Sequence, residues 1–261
     1  VEDGSVPKGQ NVRFLGNDKN LAYGPHVCHV FERAGEYTVT CEAQRRGQAP
    51  VKATIRVLIE SAALQFSRRA TICVSASGNF DGAPPGAQHV KTFAEAVGLA
   101  RRAKSENLRI LFRRGERHAT PSSRKQREVG RKKNLRRLHW GAFGSGPPPV
   151  YGPHNISLRA NAAGECCVWG LDYEGPYRAD APWETNPLGA GAIFAQGKGF
   201  TTIWDCGLRG GEDLISVGRN GADIVVGNCF GTDWHNYGMF GNRGIARVGL
   251  CGVWMKQNPR A

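Results

Sequence analysis

Polar and apolar positions alternate with period two in three short runs near the start of the chain. These are His29-Val-Phe31, Gly35-Glu-Tyr-Thr-Val-Thr40 and Val51–Ile59, and each predicts a β-strand. The period changes over residues 91–104, where Phe93, Ala96, Val97 and Ala100 fall on one face of a helix. Strand patterning precedes it at Thr71-Ile-Cys-Val-Ser and resumes at Asn107-Leu-Arg-Ile-Leu-Phe112. Three later segments then end alike: Ile203-Trp204-Asp205-Cys206, Val226-Gly227-Asn228-Cys229 and Val248-Gly249-Leu250-Cys251. Their cysteines fall 23 and then 22 residues apart, each with a β-branched residue three positions back.

A period of this length with short β-rich runs predicts a solenoid whose repeats stack as coils. Equivalent residues then lie about 4.8 Å apart, and Cys206, Cys229 and Cys251 become one vertical ladder. The stretches running from Cys206 to Gly218 and from Cys229 to Gly241 close on glycine at the same offset. A weaker copy, Val168-Trp169-Gly170-Leu171-Asp172-Tyr173-Glu174-Gly175, lies beside Ile203-Trp204-Asp205-Cys206-Gly207-Leu208-Arg209-Gly210. Trp169 and Trp204 therefore share a position, which favours stacked packing over ligand binding. Two or three strands per coil are expected, joined by glycine- and asparagine-containing turns that accept φ > 0.

The composition suits this β architecture: 261 residues, 40% hydrophobic, with 35 glycines and 14 prolines. No run of 18 apolar residues is present, so no membrane span is expected. The net charge of +13 is concentrated in residues 113–137, where eleven Lys/Arg face only Glu116 and Glu128 and supply +9. That window is either a solvated insertion loop or a surface for an anionic partner, acidic polysaccharide before nucleic acid or lipid. Aromatics interleaved with the basic residues would support single-stranded nucleic acid, and they are missing before Trp140, so nucleic acid ranks low. The eight cysteines include no CxxC pair, so a zinc site has little support, and no metal ligands are assigned. Pairing Phe31 with Tyr37 across the turn sends Cys28 and Cys41 to opposite faces, and adjacent Cys166 and Cys167 also diverge, so most thiols are expected free and buried.

The spacing His29-x-Phe31-x-x-x-Gly35-x-Tyr37-x-Val39 resembles the most recognisable stretch of polycystic-kidney-disease-type (PKD) domains, which are immunoglobulin-like β-sandwiches. The Trp-Asp-Phe-Gly-Asp block that opens such domains is absent, so residues 1–21 are either a trimmed or an atypical first half. Further on, a strand with Ser75-x-x-Gly78-Asn79, a Thr92-Phe93-x-Glu95-Ala96 helix and a strand ending Arg114-Gly115-Glu116 resemble the N-terminal cap of right-handed parallel β-helix, pectate-lyase-like proteins. The resemblance implies an all-β chain: a PKD-like sandwich over 1–61, a linker over 62–70, and a parallel β-helix over 71–261 whose end is plugged by a capping helix. The last coil is expected to be covered by a further segment or another subunit, so a homo-oligomer or larger assembly is a candidate partner. The family suggests an extracellular, secreted location or a virion surface; residues after Val1 show no signal-peptide layout.

Such proteins bind extended sugars along an outer groove, and this implies a candidate site on the last coils. The repeat register sets Glu212 and Asp213 beside His235 and Asn236, with Gln257 and Asn258 one coil further. Asp233, Trp234, Tyr237, Asn236 and Arg209 are the substrate-binding candidates, and His235, Lys256, Glu212 and Asp213 the catalytic ones. A lyase would use His235 or Lys256 as base and neutralise a uronate carboxylate with Arg209 or with a cation, Ca2+, at Glu212 and Asp213. A hydrolase would need two carboxylates about 5 to 9.5 Å apart. Otherwise no cofactor is expected, and a turn role for His235 outranks both chemistries. The reading that follows is a secreted β-helix that binds or degrades an acidic polysaccharide. The alternative is a structural appendage, a virion spike or adhesin that attaches to host glycans.

Overall fold

The computed structural model describes residues 31, 33–66, 70–129, 135–160, 164–178, 191–197, 199–217, 223–235, 237–241, 247–251 and 253–256. The first expected strands form an antiparallel hairpin, β1 (Gly35–Ala43) with β2 (Val51–Ile59), paired from Gly35 opposite Ile59 to Ala43 opposite Val51. The register gathers Tyr37, Val39 and Cys41 with Ala53, Ile55 and Val57 on one face and sends Glu36, Glu42, Lys52 and Arg56 to the other. Phe31 stacks on Tyr37 at 4.4 Å, as the expected turn requires. Residues 1–21 and Cys28 lie outside the described residues, while Cys41 is a free, exposed thiol.

The remainder is built of parallel sheet. The first sheet holds, in spatial order, β19 (Arg247–Cys251), β16 (Asp223–Gly227), β13 (Phe200–Trp204), β10 (Glu165–Trp169), β7 (Arg137–Phe143), β5 (Asn107–Arg113), β3 (Thr71–Val74) and β4 (Gln88–Val90). The second holds β20 (Trp254–Lys256), β17 (Phe230–Thr232), β14 (Gly207–Arg209), β11 (Asp172–Glu174), β8 (Val150–Gly152) and β6 (Arg117–Ala119). The third holds β18 (Tyr237–Gly241), β15 (Asp213–Val217), β12 (Ile193–Gly197) and β9 (Ile156–Ala160). From β7 onward the chain visits the three sheets in rotation, so every strand pairs with its counterpart one circuit away. Three strands per circuit meet the upper expectation from the glycine spacing.

Each sheet turns in-register files of side chains inward. In the first sheet Ile110, Trp140, Val168, Ile203 and Val226 are in register and fully buried. In the second, His118, Tyr151, Tyr173 and Leu208 continue one file, and in the third Ile156, Ile193 and Ile215. Burying one large apolar side chain stabilises by roughly 1.5–3 kcal/mol, so these files hold the circuits together. The corner between the first two sheets places Gly170, Asp205 and Asn228 in one column at φ 65, 53 and 49. Their left-handed backbone makes the sharp corner, and asparagine and aspartate tolerate it better than other non-glycine residues.

The cysteine ladder holds in two of its three rungs. Leu171, Cys206, Cys229 and Val253 each precede register partners Asp172, Gly207, Phe230 and Trp254, so they form the corner file. Cys251 is not a member: it pairs with Gly227, two positions earlier. The spacing from Ile203 to Val226 is 23 residues but from Val226 to Leu250 it is 24, so a cysteine 22 residues on falls short of the corner. Cys206 and Cys229 are buried and donate to the carbonyls of Trp204 and Gly227 at 3.2 and 3.0 Å. Trp169 and Trp204 stand in register, with ring centroids 6.3 Å apart. The next residue in that file is Gly227, and a Cβ there would lie 1.8 Å from the Trp204 ring.

The helix α2 (Phe93–Arg102) is shorter than the expected 91–104 but buries the expected face, Phe93, Ala96, Val97 and Ala100. A reciprocal capping box fixes its start: Thr92 accepts from the Glu95 N–H, and Glu95 accepts from the Thr92 N–H. Phe93 stacks on Phe112 and Trp140 at 5.6 and 5.3 Å, which lays the helix over the inner files at their first circuits. Glu116 closes the Ser75 loop by accepting from the Ser75 hydroxyl at 2.9 Å and the Ala76 N–H at 2.7 Å. The expected linker carries a helical turn, α1 (Ala62–Gln65), and is tied to the first sheet. The Asn107 amide donates to the Gln65 carbonyl at 2.9 Å, and Phe66 packs on His139 and under Arg109.

Gly227→Ala is expected to destabilise by about 2–4 kcal/mol, because Trp204 has no space to yield. Gly98→Ala, in α2 and 3.6 Å from only the flexible end of Arg102, is expected to stabilise by about 0.5–1 kcal/mol. Denaturant unfolding of both variants checks the pair. Burial, helped by Arg109, pushes His139 down to about 4. The unfolded chain therefore binds the extra proton below about 6.5, and stability falls between pH 6.5 and 4 by on the order of 3 kcal/mol. His139→Gln should flatten that acid limb in a pH series of melting curves, and an unchanged limb would refute the assignment.

Candidate functional site

The expected patch on the last circuits is divided between two sheets. The turn from β17 to β18 has one residue more than the turn from β14 to β15, so Asp213 pairs with Tyr237. The expected register, with Glu212 beside His235 and Asp213 beside Asn236, is therefore off by one, and a slip of one reverses which face a strand residue occupies. His235 is buried; its N–H donates to the Gly211 carbonyl at 2.9 Å and its ring meets the edge of Tyr177 at 5.5 Å. Trp234 is half-buried and packs against the core, and Asp233 turns the corner at φ 57. Glu212 is half-buried in the turn before β15, and Tyr237 is exposed on the third sheet. Asn236, Gln257 and Asn258 lie outside the described residues.

Asp213 opens β15 and is half-buried there. Its carboxylate accepts from the Ser216 hydroxyl at 3.1 Å and from the Tyr237 backbone. Burial raises its pKa despite those bonds and the nearby His235. This geometry ties two circuits together and turns the carboxyl away from the role of an open base. Among the described residues, no three His, Cys, Asp or Glu side chains converge as a metal site.

Arg209 and Lys256 fall on the second sheet. Glu174, Arg209, Thr232 and Lys256 are consecutive register partners on β11, β14, β17 and β20. Arg209 is exposed and lies over the Phe230 ring at 5.2 Å. The same outer face deepens towards β6 and β8 into a cleft of about 390 Å³. Arg117, Pro153, Glu174, Pro176 and Arg178 form its rim, and Arg117 meets Glu174 at 2.5 Å while Arg178 meets it at 3.7 Å. The repeat had already aligned Glu174 with Arg209, so an outward charged file was visible there; the cleft was not, because Arg117 sat unremarked in the basic window.

The described residues of that window, 113–129 and 135–137, carry some regular secondary structure. They include β6 and a short helix, α3 (Arg124–Arg127), and residues 130–134 lie outside the described residues. Arg124 pairs with Glu128, Arg136 with Glu106 and Arg137 with Glu165. Arg127 is buried and donates to the Ser122 and Asn155 carbonyls. Among the described residues of the window, Arg117, Arg124, Arg136 and Arg137 thus have carboxylate partners, at Glu174, Glu128, Glu106 and Glu165. No family model, curated protein or solved structure matches this chain significantly.

Asp213→Asn keeps an acceptor for Ser216 and Tyr237 while removing a partly desolvated charge. The wild-type carboxyl is raised in the folded state, so the native chain holds its proton more tightly and is penalised above the ordinary carboxylate range. The variant should be at least as stable as wild type at neutral pH, and the difference should vanish as pH falls below the unfolded value. Unfolding curves at several pH values check this, and a destabilised variant would refute it.

Proposed function

We propose that the chain is a right-handed parallel β-helix, preceded by a sandwich-type segment, that binds an extended acidic polysaccharide along the outer face of its second sheet. The observation that carries the reading is the file Glu174–Arg209–Thr232–Lys256, in which a charged or polar residue recurs once per circuit and cations follow the acidic Glu174. Register partners stand about 4.8 Å apart, so the file offers regularly spaced contacts to a polymer lying along the stack. Arg209, exposed and lying over the Phe230 ring, supplies the attraction. Binding outranks cleavage because His235 is buried and Asp213 is held by Ser216 and Tyr237. The family likeness suggests a secreted protein, and the charge balance suggests a uronate-rich or sulfated glycan.

A panel of acidic polysaccharides tested by calorimetry should give at least one binder whose affinity weakens as salt rises. Arg209→Ala should weaken that binding roughly fivefold. Unsaturated uronates appearing by ultraviolet absorbance would replace binding with a lyase activity. No binder across the panel would overturn the proposal.

A further inference from the structure

Resting on that reading, but argued from a different stretch of the same face, we infer that the cleft between β6, β8, β11 and residues 175–178 is a subsite for one sugar acid. The hollow has a local cause. The outward positions preceding Glu174 in its file are Ala119 and Gly152, so two circuits present almost no side chain where later circuits carry Arg209 and Thr232. Gly152 has to be small, because a Cβ there would lie 2.0 Å from the Glu174 carbonyl. The resulting volume of about 390 Å³ is within the range of about 300–1,000 Å³ that small-ligand pockets occupy.

The rim is set for a monoanionic polyol. Arg117 and Arg178 both approach the single carboxylate of Glu174, which leaves one excess positive charge in the cleft, and Arg209 stands one circuit further. Arg178 is held in place by donating to the Gly175 and Tyr177 carbonyls at 2.8 and 3.1 Å. A guanidinium so positioned takes a carboxylate without first losing its own freedom. Glu174 accepts from sugar hydroxyls and disfavours a dianion such as phosphate. Pro153 and Pro176 supply rigid apolar walls for a ring. A uronic acid unites these features, either free or as one residue of a polymer.

The test uses the isotope-labelled full chain, titrated with glucuronate, glucose, inorganic phosphate and a uronate hexamer while backbone amide shifts are followed. Glucuronate should move the amides of 117–119, 150–152 and 174–178, and glucose should not. The hexamer should move the same amides and extend the response to Arg209 and Thr232. Arg117→Gln touches only an exposed side chain and should weaken glucuronate at least tenfold; Glu174→Gln should raise the affinity for phosphate instead. A cleft that ignores glucuronate, or answers glucose equally, overturns the subsite. A hexamer response confined to Arg209 and Thr232 overturns the subsite but leaves the polymer reading standing. A response to glucuronate with none to the hexamer keeps the subsite and removes the polymer reading.

Discussion

The structure depends on the constraint that each residue's principal neighbour is the same position one circuit away. Parallel pairing in three sheets enforces it, since a strand bonded to its counterpart cannot choose its partners independently. The consequence is selection by file rather than by contact. Ile110, Trp140, Val168, Ile203 and Val226 need only suit one another's width, and the wide Trp204 is tolerated because Gly227 follows it. Close packing of this kind leaves little slack, so volume must be balanced between adjacent circuits.

How much of this was readable in advance differs by level. The face of α2 follows from local periodicity, and the alignment of Val168–Glu174 with Ile203–Arg209 follows from the similarity of the repeats themselves. The errors arise where lengths accumulate. A single added residue between β17 and β18 moved Asp213 opposite Tyr237, and uneven circuit lengths took Cys251 out of the corner file. Spacing between similar residues cannot say in which turn an insertion falls; hydrogen bonding between strands decides that. The cleft was illegible for a related reason, because it is produced by the small residues Ala119 and Gly152, which leave no chemical mark of their own.

Charge followed a similar logic. The cationic window looked like a docking surface when read as composition, but the fold brings Glu106, Glu165 and Glu174 from outside it to pair with Arg136, Arg137 and Arg117. Exposed pairs of this type add little stability, so their effect is to neutralise the flank of the first sheet rather than to hold it. The cations that remain on the second sheet are fewer, but they are spaced by the circuits themselves.

The three corners of the winding are unequal. The one between the first and second sheets is a fixed, left-handed step at Gly170, Asp205 and Asn228. The passage from the second sheet to the third is not fixed: it spans residues 175–192 in one circuit and 210–212 in the next. Chain added on that side lengthens a loop without disturbing any rung. Arg178 and Pro176 stand at the start of the 175–192 passage, so the rim of the cleft lies on the side of the winding where the number of residues between strands varies while the rungs keep their register.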